Sequence, residues 1–525
     1  MANWPSYFLP RLNLLAAYSA ISFSTEGWPN FAFEEIFYMK LQQVQEKLAA
    51  RNSLAYTIHA APSSLTSFIK RFPFTPTQSQ SDAIHSIIER MGRPYPMGTL
   101  LEGDVGSGKT FVAAAIAHTV LSNRIGKSGP PLQIAYMAPT EILATQHFES
   151  FIQYFTGTGI EIGLLTGSGC KKFPSKSDPS SYTEISRTQL ISWLADGRVS
   201  IVVGTHALIQ KSVTFANLAL VIIDEQHRFG VKQRKALAAK THEKRKELPH
   251  LLSMTATPIP RTLALTLFGD LDLTVIDEMP RNRKRIITEL IPQSKRDDIY
   301  EHIRTELQHG RQVYVICPRI DEQDEEEAQK RQLKSVKEEA KRLGEIVFPE
   351  FVVDILHSKM KKEEKEEVMQ DFLAKRSDIL VATSVVEVGV NVPNASVIVI
   401  EHADRFGLAQ LHQLRGRVGR AEHQSYCYLF TESSGESTAR RLSHLRDAKN
   451  GFELAELDMK ERGIGTLMAG KQWGMSDMAM EAIKNPKLVE IAGREAEELL
   501  SHDYHLENFP ELATILSRQE KVHME

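Results

Sequence analysis

Two periodicities divide the chain. From about residue 77 to residue 430, short apolar runs alternate with stretches whose apolar positions recur at helical spacing. In the first block the runs are Thr99–Leu101, Leu132–Met137, Ser200–Val203, Leu218–Ile223 and His250–Met254. In the second they are Gln312–Cys317, Val352–Leu356, Asp378–Ala382, Val397–Glu401 and Tyr426–Phe430. A run that is apolar at every position, rather than at every second one, suits a strand buried on both faces. Strands alternating with helices imply a parallel sheet covered on both sides. The polar, basic segment PRNRK (280–284) reads as the linker between the blocks. Ahead of them, Phe33–Leu48 has helical spacing until FPFTP (72–76) breaks it, and the last block also reads as helical.

The pattern predicts an α/β chain with two tandem parallel-sheet domains, at 72–278 and 279–432. An N-terminal helical linker (1–71) precedes them and a C-terminal helical domain (433–525) follows. Residues 321–343 are dense in Glu and Lys and predict a solvated helix. Residues 170–186 are polar with two prolines and predict a surface loop. No short fixed repeat is present.

Composition narrows the class. With 525 residues, 42% hydrophobic and 25% charged, the chain has room for about three domains with ordinary globular cores. A net charge of −3 rules out a polycation, so nucleic-acid contacts must come from local patches. The three cysteines, Cys170, Cys317 and Cys427, lie far apart without metal spacing, which fits a reducing cytoplasm. No stretch approaches the ~20 apolar residues that span a membrane. Leu12–Phe23 is the nearest to a signal core, but only Arg11 precedes it and Asn13, Ser19 and Ser22 interrupt it, so it reads as a buried helix.

The strongest local signal is GDVGSGKT at 103–110, between the strand candidate Thr99–Leu101 and the apolar helix Phe111–Val120. Such a loop offers backbone N–H groups and a helix N-terminus to phosphate oxygens. Gly103, Gly106, Ser107, Gly108, Lys109 and Thr110 form the candidate phosphate cradle for ATP. Lys109 reaches the β and γ phosphates, and Thr110 ligates Mg²⁺. The run VIIDEQH (221–227) ends a strand in two carboxylates at the carboxyl edge of a parallel sheet, where ligands bind. Asp224 is the second candidate Mg²⁺ ligand, and Glu225 the base that orients and deprotonates the attacking water. Alone, such a pair caps a helix or sits in a solvated turn; with the phosphate loop it reads as catalytic. The third element is QLRGRVGR (413–420). Its arginines, Arg417 and Arg420 above all, present permanently charged forks to phosphate. They lie in the second block, so ATP would bind in the cleft between blocks, completed from across it at ~10³–10⁵ in rate.

The ordered set resembles the superfamily 2 helicases, and more closely the RecG family of ATP-dependent DNA helicases, from about residue 8 to 480. Phe72, Phe74, Thr77 and Gln80 resemble the adenine-reading motif. APTEILATQH (138–147), GTHAL (204–208) and SMTATPIPRT (253–262) resemble motifs Ia, Ib and III. LHSKM (356–360), residues 382–395 and QLRGRVGR resemble motifs IVa, V and VI. GVKQR (230–234) is especially similar to RecG, as is GFELAELD…ERG (451–463) to its translocation hairpin. The resemblance implies two RecA-like domains. It puts Phe74, Gln80 and Gly389 beside the nucleotide and Gln413 with the catalytic arginines. It puts Pro139, Thr140, Thr205, His206, Thr255, Thr257, Arg261 and Thr383 on DNA phosphates or in coupling, with Arg462 and Gln472 in the translocation motif. Small hydroxyl residues at strand ends suit such contacts, since phosphate binding reads no bases.

The chain also departs from the family. RecG proteins carry an OB-type wedge ahead of the linker, and no ~100-residue barrel fits before residue 30. Asn391 stands where motif V usually has Asp. Ile464, the Ala469–Lys471 stretch and Trp473 depart from the usual C-terminal loop, and Lys471 lacks a bidentate fork. Double-stranded or branched DNA, forks and Holliday junctions included, is the expected partner of a monomeric cytoplasmic translocase. The absence of the wedge leaves three readings: it is lost, it is supplied by another chain (a separate wedge or OB-type protein, or a single-stranded-DNA-binding protein, being the candidate partners), or it is cut off by a misassigned start. The alternatives are an ATP-dependent DNA-binding accessory protein that does not unwind, and an RNA helicase.

Overall fold

The computed structural model describes residues 28–125, 130–225, 247–256, 263, 269, 271–280, 284–318, 335–357, 359–383, 392–419, 423–431, 435–448, 450–462, 485–514 and 516. The first helix, α1 (Trp28–Arg51), buries Phe33, Ile36, Phe37, Leu41 and Val44, one apolar stripe at helical spacing. After β1 (Leu54–Ala55) and α2 (Pro62–Ile69) comes α3 (Gln78–Met91). Its start is a reciprocal cap: the Thr77 hydroxyl accepts from the Gln80 N–H at 3.2 Å, and Gln80 Oε1 accepts from the Thr77 N–H at 3.0 Å.

The first sheet has nine strands. They are β2 (Gly98–Gly103), β3 (Gln133–Met137), β4 (Ile162–Leu165), β5 (Cys170–Phe173), β6 (Thr183–Glu184), β7 (Ile201–Gly204), β8 (Leu218–Ile223), β10 (His250–Thr255) and β11 (Asp272–Ile276). The two-residue β9 (Glu247–Leu248) pairs with β1 instead. The spatial order is β11-β2-β10-β8-β3-β7-β4-β5-β6, parallel as far as β4. Every residue of β3 and β8 is buried, as the unbroken apolar runs require. Among the described residues, α3 packs on this unit together with α4 (Lys109–Leu121), α5 (Glu141–Phe155) and α6 (Arg187–Ala195). α4 is apolar nearly all round and buries Phe111 through Ala117.

The second sheet is wholly parallel. β12 (Ile287–Ile291), α7 (Arg296–Gln308), β13 (Gln312–Ile316), β14 (Val353–Leu356), α8 (Lys362–Leu373), β15 (Ile379–Ala382), β16 (Ala395–Ile400), α9 (Leu408–Arg415) and β17 (Tyr426–Phe430) follow in the chain. The strand order is β12-β17-β16-β13-β15-β14. The chain continues into α10 (Glu436–Asp447), α11 (Gly451–Arg462) and α12 (Pro486–His502). α12 returns to the beginning: Leu488, Val489, Ala492, Ala496 and Leu500 share a core with the stripe of α1. α1 is tied in turn to the first sheet, where Lys47 Nζ meets Asp272 Oδ1 of β11 at 2.7 Å.

All ten predicted strands are present, with ends that differ by at most two residues. β4, β11 and β12 add to the predicted strands. The segment 170–186, expected to be a surface loop, is strand at 170–173 and 183–184. That segment supplies β5, antiparallel to β4, and β6, antiparallel to β5, which extend the sheet edge. Cys170 and Phe173 are buried there, and of the two lysines between them the buried one is neutralised: Lys172 Nζ donates to Glu161 Oε1 at 2.8 Å. Within 321–343, described from 335, the helix is not solvated all round, because Val336, Ala340 and Leu343 are buried. Leu12–Phe23 and the middle of the 280–284 linker lie outside the described residues. Among the described residues, no helix is long and apolar enough to cross a membrane.

Candidate nucleotide site between the two sheets

The phosphate loop leaves the carboxyl end of β2 and enters α4. Gly106 (φ 79°) and Gly108 (φ 89°) take left-handed conformations that a side chain would strain. A Cβ at Gly108 would also come within 2.3 Å of the Gln80 amide nitrogen. That amide donates to the Ser107 carbonyl at 2.7 Å. Gln80 therefore pins the loop from below and is buried, while Phe74 is exposed with its edge on Phe111, ring centroids 5.3 Å apart. Lys109 Nζ folds back to the carbonyls of Gly103 (2.7 Å) and Asp104 (2.9 Å). Gly103 and Ser107 are buried and Thr110 is half-buried.

β10 lies between β2 and β8, so the phosphate loop after β2, Thr255 at the end of β10 and the acidic pair after β8 stand along one edge. Asp224 is anchored on two sides. Its Oδ1 accepts from the Glu225 N–H at 3.1 Å and its Oδ2 from His147 Nε2 of α5 at 2.8 Å. Burial opposes ionisation, but the His147 hydrogen bond and the Lys109 charge outweigh it, and the carboxyl sits below its ordinary range. Glu225 is moved the other way, first by burial and then by the Asp224 charge. Its backbone is left-handed (φ 54°), and Oε2 accepts from the Ala256 N–H at 3.4 Å. A strained carboxylate with a raised pKa, bonded to the next strand end, suits a general base.

Across the cleft stands α9. Arg417, just beyond it, is buried, and its charge reaches Glu225. Gly416 lies so close to the phosphate loop that a Cβ there would meet the Val105 side chain at 2.8 Å. The cleft measures about 1480 Å³ and is lined by Gly106, Lys109, Thr110, Asp224, Glu225 and Arg417, among others. Gln413 is half-buried on α9.

The remaining candidates occupy strand ends. Pro139 and Thr140 follow β3, and the Thr140 hydroxyl caps α5 by accepting from the Leu143 N–H at 3.4 Å. Thr205 follows β7 and is buried, whereas the next residue, His206, is exposed. Thr255 and Thr383 are buried at the ends of β10 and β15. Arg462 is the last residue of α11. Thr257, Arg261, Gly389, Asn391, Arg420 and Gln472 lie outside the described residues. Two histidines at the site were not singled out from sequence. His147 holds Asp224, and His412 of α9 donates to Asp104 Oδ1 of the phosphate loop at 2.5 Å. Neither carries a spacing signal, since their partners lie 77 and 308 residues away.

Residues 77–266 match the DEAD/DEAH box helicase family model, and residues 294–422 match the helicase conserved C-terminal domain. The ATP-dependent DNA helicase RecG of Synechocystis is 43% identical over 93% of this chain and 56% of its own length. RecG of Bacillus subtilis is 42% identical, over 90% and 65%. That of Streptococcus pneumoniae is 39% identical, over 94% and 69%. The chain thus spans little more than half to two thirds of these relatives. A solved structure of RecG bound to a three-way DNA junction superposes with a TM-score of 0.69 at 36% identity, covering 88% of this chain and 57% of that one.

Proposed function

Because the chain belongs to the RecG family of ATP-dependent DNA helicases, we propose that it is a DNA-dependent ATPase that translocates on duplex DNA and remodels branched DNA in recombination and repair. One observation carries this reading. Lys109, Asp224 and Glu225, at the carboxyl edge of the first sheet, and Arg417, just beyond α9 of the second unit, line one cleft. Hydrolysis that needs both sheets is tied to their relative position, and a tie of that kind converts turnover into movement.

Each residue has a role in this scheme. Lys109 exchanges its two main-chain carbonyls for phosphate oxygens when ATP enters. Glu225 takes the proton of the attacking water, while the Ala256 N–H keeps its carboxylate oriented. Arg417, with Arg420, stabilises charge on the transferred phosphoryl group. Thr110 and Asp224 form an all-oxygen pair suited to Mg²⁺, which would supply charge neutralisation between phosphates. The ends of β3, β7 and β15, at Thr140, Thr205 and Thr383, hold DNA phosphates, and Arg462 extends the grip into the C-terminal helices. The domain limits given above are part of the same proposal, as are a monomeric state and a cytoplasmic location.

ATPase and strand separation measured side by side on single-stranded, duplex, forked and four-way DNA test it. Turnover should rise with duplex or forked DNA and vanish in Lys109→Ala and Glu225→Gln. Stimulation without strand separation on any junction would favour the non-unwinding accessory role. Stimulation by RNA alone would favour an RNA helicase. Turnover indifferent to every nucleic acid would overturn the proposal.

A further inference from the structure

The carboxylate of Asp104 joins three parts of the molecule that the chain keeps far apart. It belongs to the phosphate loop, where Oδ1 also accepts from the Val105 N–H at 2.7 Å. The same oxygen accepts from His412 Nε2 on α9, and Oδ2 accepts from the Gly451 N–H at 3.1 Å, the first residue of α11. The histidine has a fixed direction. Arg415 Nη2 donates to His412 Nδ1 at 2.9 Å, so the ring hydrogen sits on Nε2 and points at Asp104. Arg415 Nη1 donates in turn to the Leu445 carbonyl near the end of α10, at 2.6 Å. At α11, Asn450 Oδ1 caps the Glu453 N–H at 3.0 Å, so an acidic group from the other sheet completes the start of a twelve-residue helix. A negative charge at that position is favoured by the helix dipole. Asp104 and His412 are both buried, where such bonds are costly to leave unmade.

The other end of the relay is the nucleotide. The Asp104 main-chain carbonyl accepts from Lys109 Nζ at 2.9 Å. We infer that Asp104 is a positioning residue that reports occupancy of the phosphate loop to the C-terminal helices. When Lys109 leaves the Gly103 and Asp104 carbonyls for phosphate, the backbone carrying the Asp104 carboxylate readjusts. That shift moves α9, through His412, and α11, through Gly451, together. α11 ends at Arg462, so the relay runs from the nucleotide to the proposed DNA grip without passing through Arg417. This inference rests on the proposed ATP-driven movement on DNA.

The test is a coupling ratio: base pairs branch-migrated per ATP hydrolysed, in the full chain, with ATPase measured with and without DNA. His412→Ala should lower the ratio at least about fivefold, within the usual range for coupling between sites. Its DNA-independent turnover and its KM for ATP, measured well below its melting temperature, should stay near wild type, while that temperature falls because buried Asp104 loses a partner. His412→Gln, which keeps a donor for Asp104, should restore much of the ratio. Asp104→Ala combined with His412→Ala should be no worse than Asp104→Ala alone. An unchanged ratio in His412→Ala overturns the inference. So does an equal fall of turnover with and without DNA, which would make the contact part of the nucleotide site. If Asp104→Ala fails to fold, the two His412 variants decide. A wild-type protein without DNA stimulation would instead sink the underlying function, a distinguishable result.

Discussion

His147 Nε2 lies 2.8 Å from Asp224 Oδ2, so a helix of the first domain clamps the carboxylate proposed to bind Mg²⁺. The ring also lies against Tyr136, centroids 4.7 Å apart, which limits its freedom. Groups that orient a metal ligand typically contribute 10–100-fold to metal affinity. His147→Ala should therefore raise the Mg²⁺ concentration for half-maximal ATPase by about 10–100-fold. Saturating Mg²⁺ should recover most of the turnover. A Mg²⁺ titration of the variant checks both points, and an unmoved midpoint would show that Asp224 needs no clamp.

Glu225 should impose a pH signature. Its carboxyl is pushed up by burial and then by Asp224, and it must be ionised to act as a base. The acid limb of kcat should fall at a pH above the ordinary carboxylate range. Stability has the opposite sign. A carboxyl raised in the folded state favours folding below the unfolded pKa and loses that contribution as pH rises through the folded one. Glu225→Gln should thus melt higher than wild type at neutral pH, and the gap should close in acid. Melting curves across pH measure this.

Gly416→Ala tests how closely the domains approach. The added methyl would meet Val105 at 2.8 Å, against a branched side chain that cannot swing aside. Overpacking of this kind costs about 1–3 kcal/mol. The expected result is DNA-stimulated turnover reduced by about tenfold, given ~1.4 kcal/mol per factor of ten. Melting of the first sheet should be unaffected. Normal turnover in this variant would mean that the two domains work further apart than here.

His250 governs acid stability of the first domain. It is fully buried, Nε2 donating to the Tyr56 carbonyl at 2.7 Å and Nδ1 accepting from the Met97 N–H at 3.0 Å. Burial pushes its pKa down to about 4 from an ordinary 6.5. A base with a depressed folded pKa supports the fold above 6.5, and that support is lost as pH falls toward 4. The loss amounts to about 3 kcal/mol at 1.36 kcal/mol per unit. Denaturant titrations between these limits should show the slope, and His250→Gln should flatten it.

Legibility in the sequence followed how local each signal was. The phosphate loop and acidic pair were plain because glycine, lysine and carboxylates sit at fixed offsets between a strand and a helix. The parallel strands were plain because burial on both faces leaves unbroken apolar runs such as Leu218–Ile223. β5 was hidden because its Lys172 looks solvated, and it becomes buriable only through Glu161 and the face of Trp193, 5.4 Å away. β12 was hidden because it alternates: Ile287 and Glu289 are exposed while Thr288 and Ile291 are buried. His147 and His412 were invisible because a lone histidine in a helix gains meaning from partners that the fold brings in.

The return of α12 onto α1 bears on how the second sheet can move. α1 belongs with the first sheet through Lys47 and Asp272, so everything from β12 to α11 is strung between two anchorages on the same body. An object on a single strap can tumble about three axes. Held by two straps, it keeps free rotation mainly about the line that joins them. The packing of Ile36 and Leu41 against Ala492 and Ala496 would thus act as a bearing, reducing the orientations open to the second sheet towards a single swing.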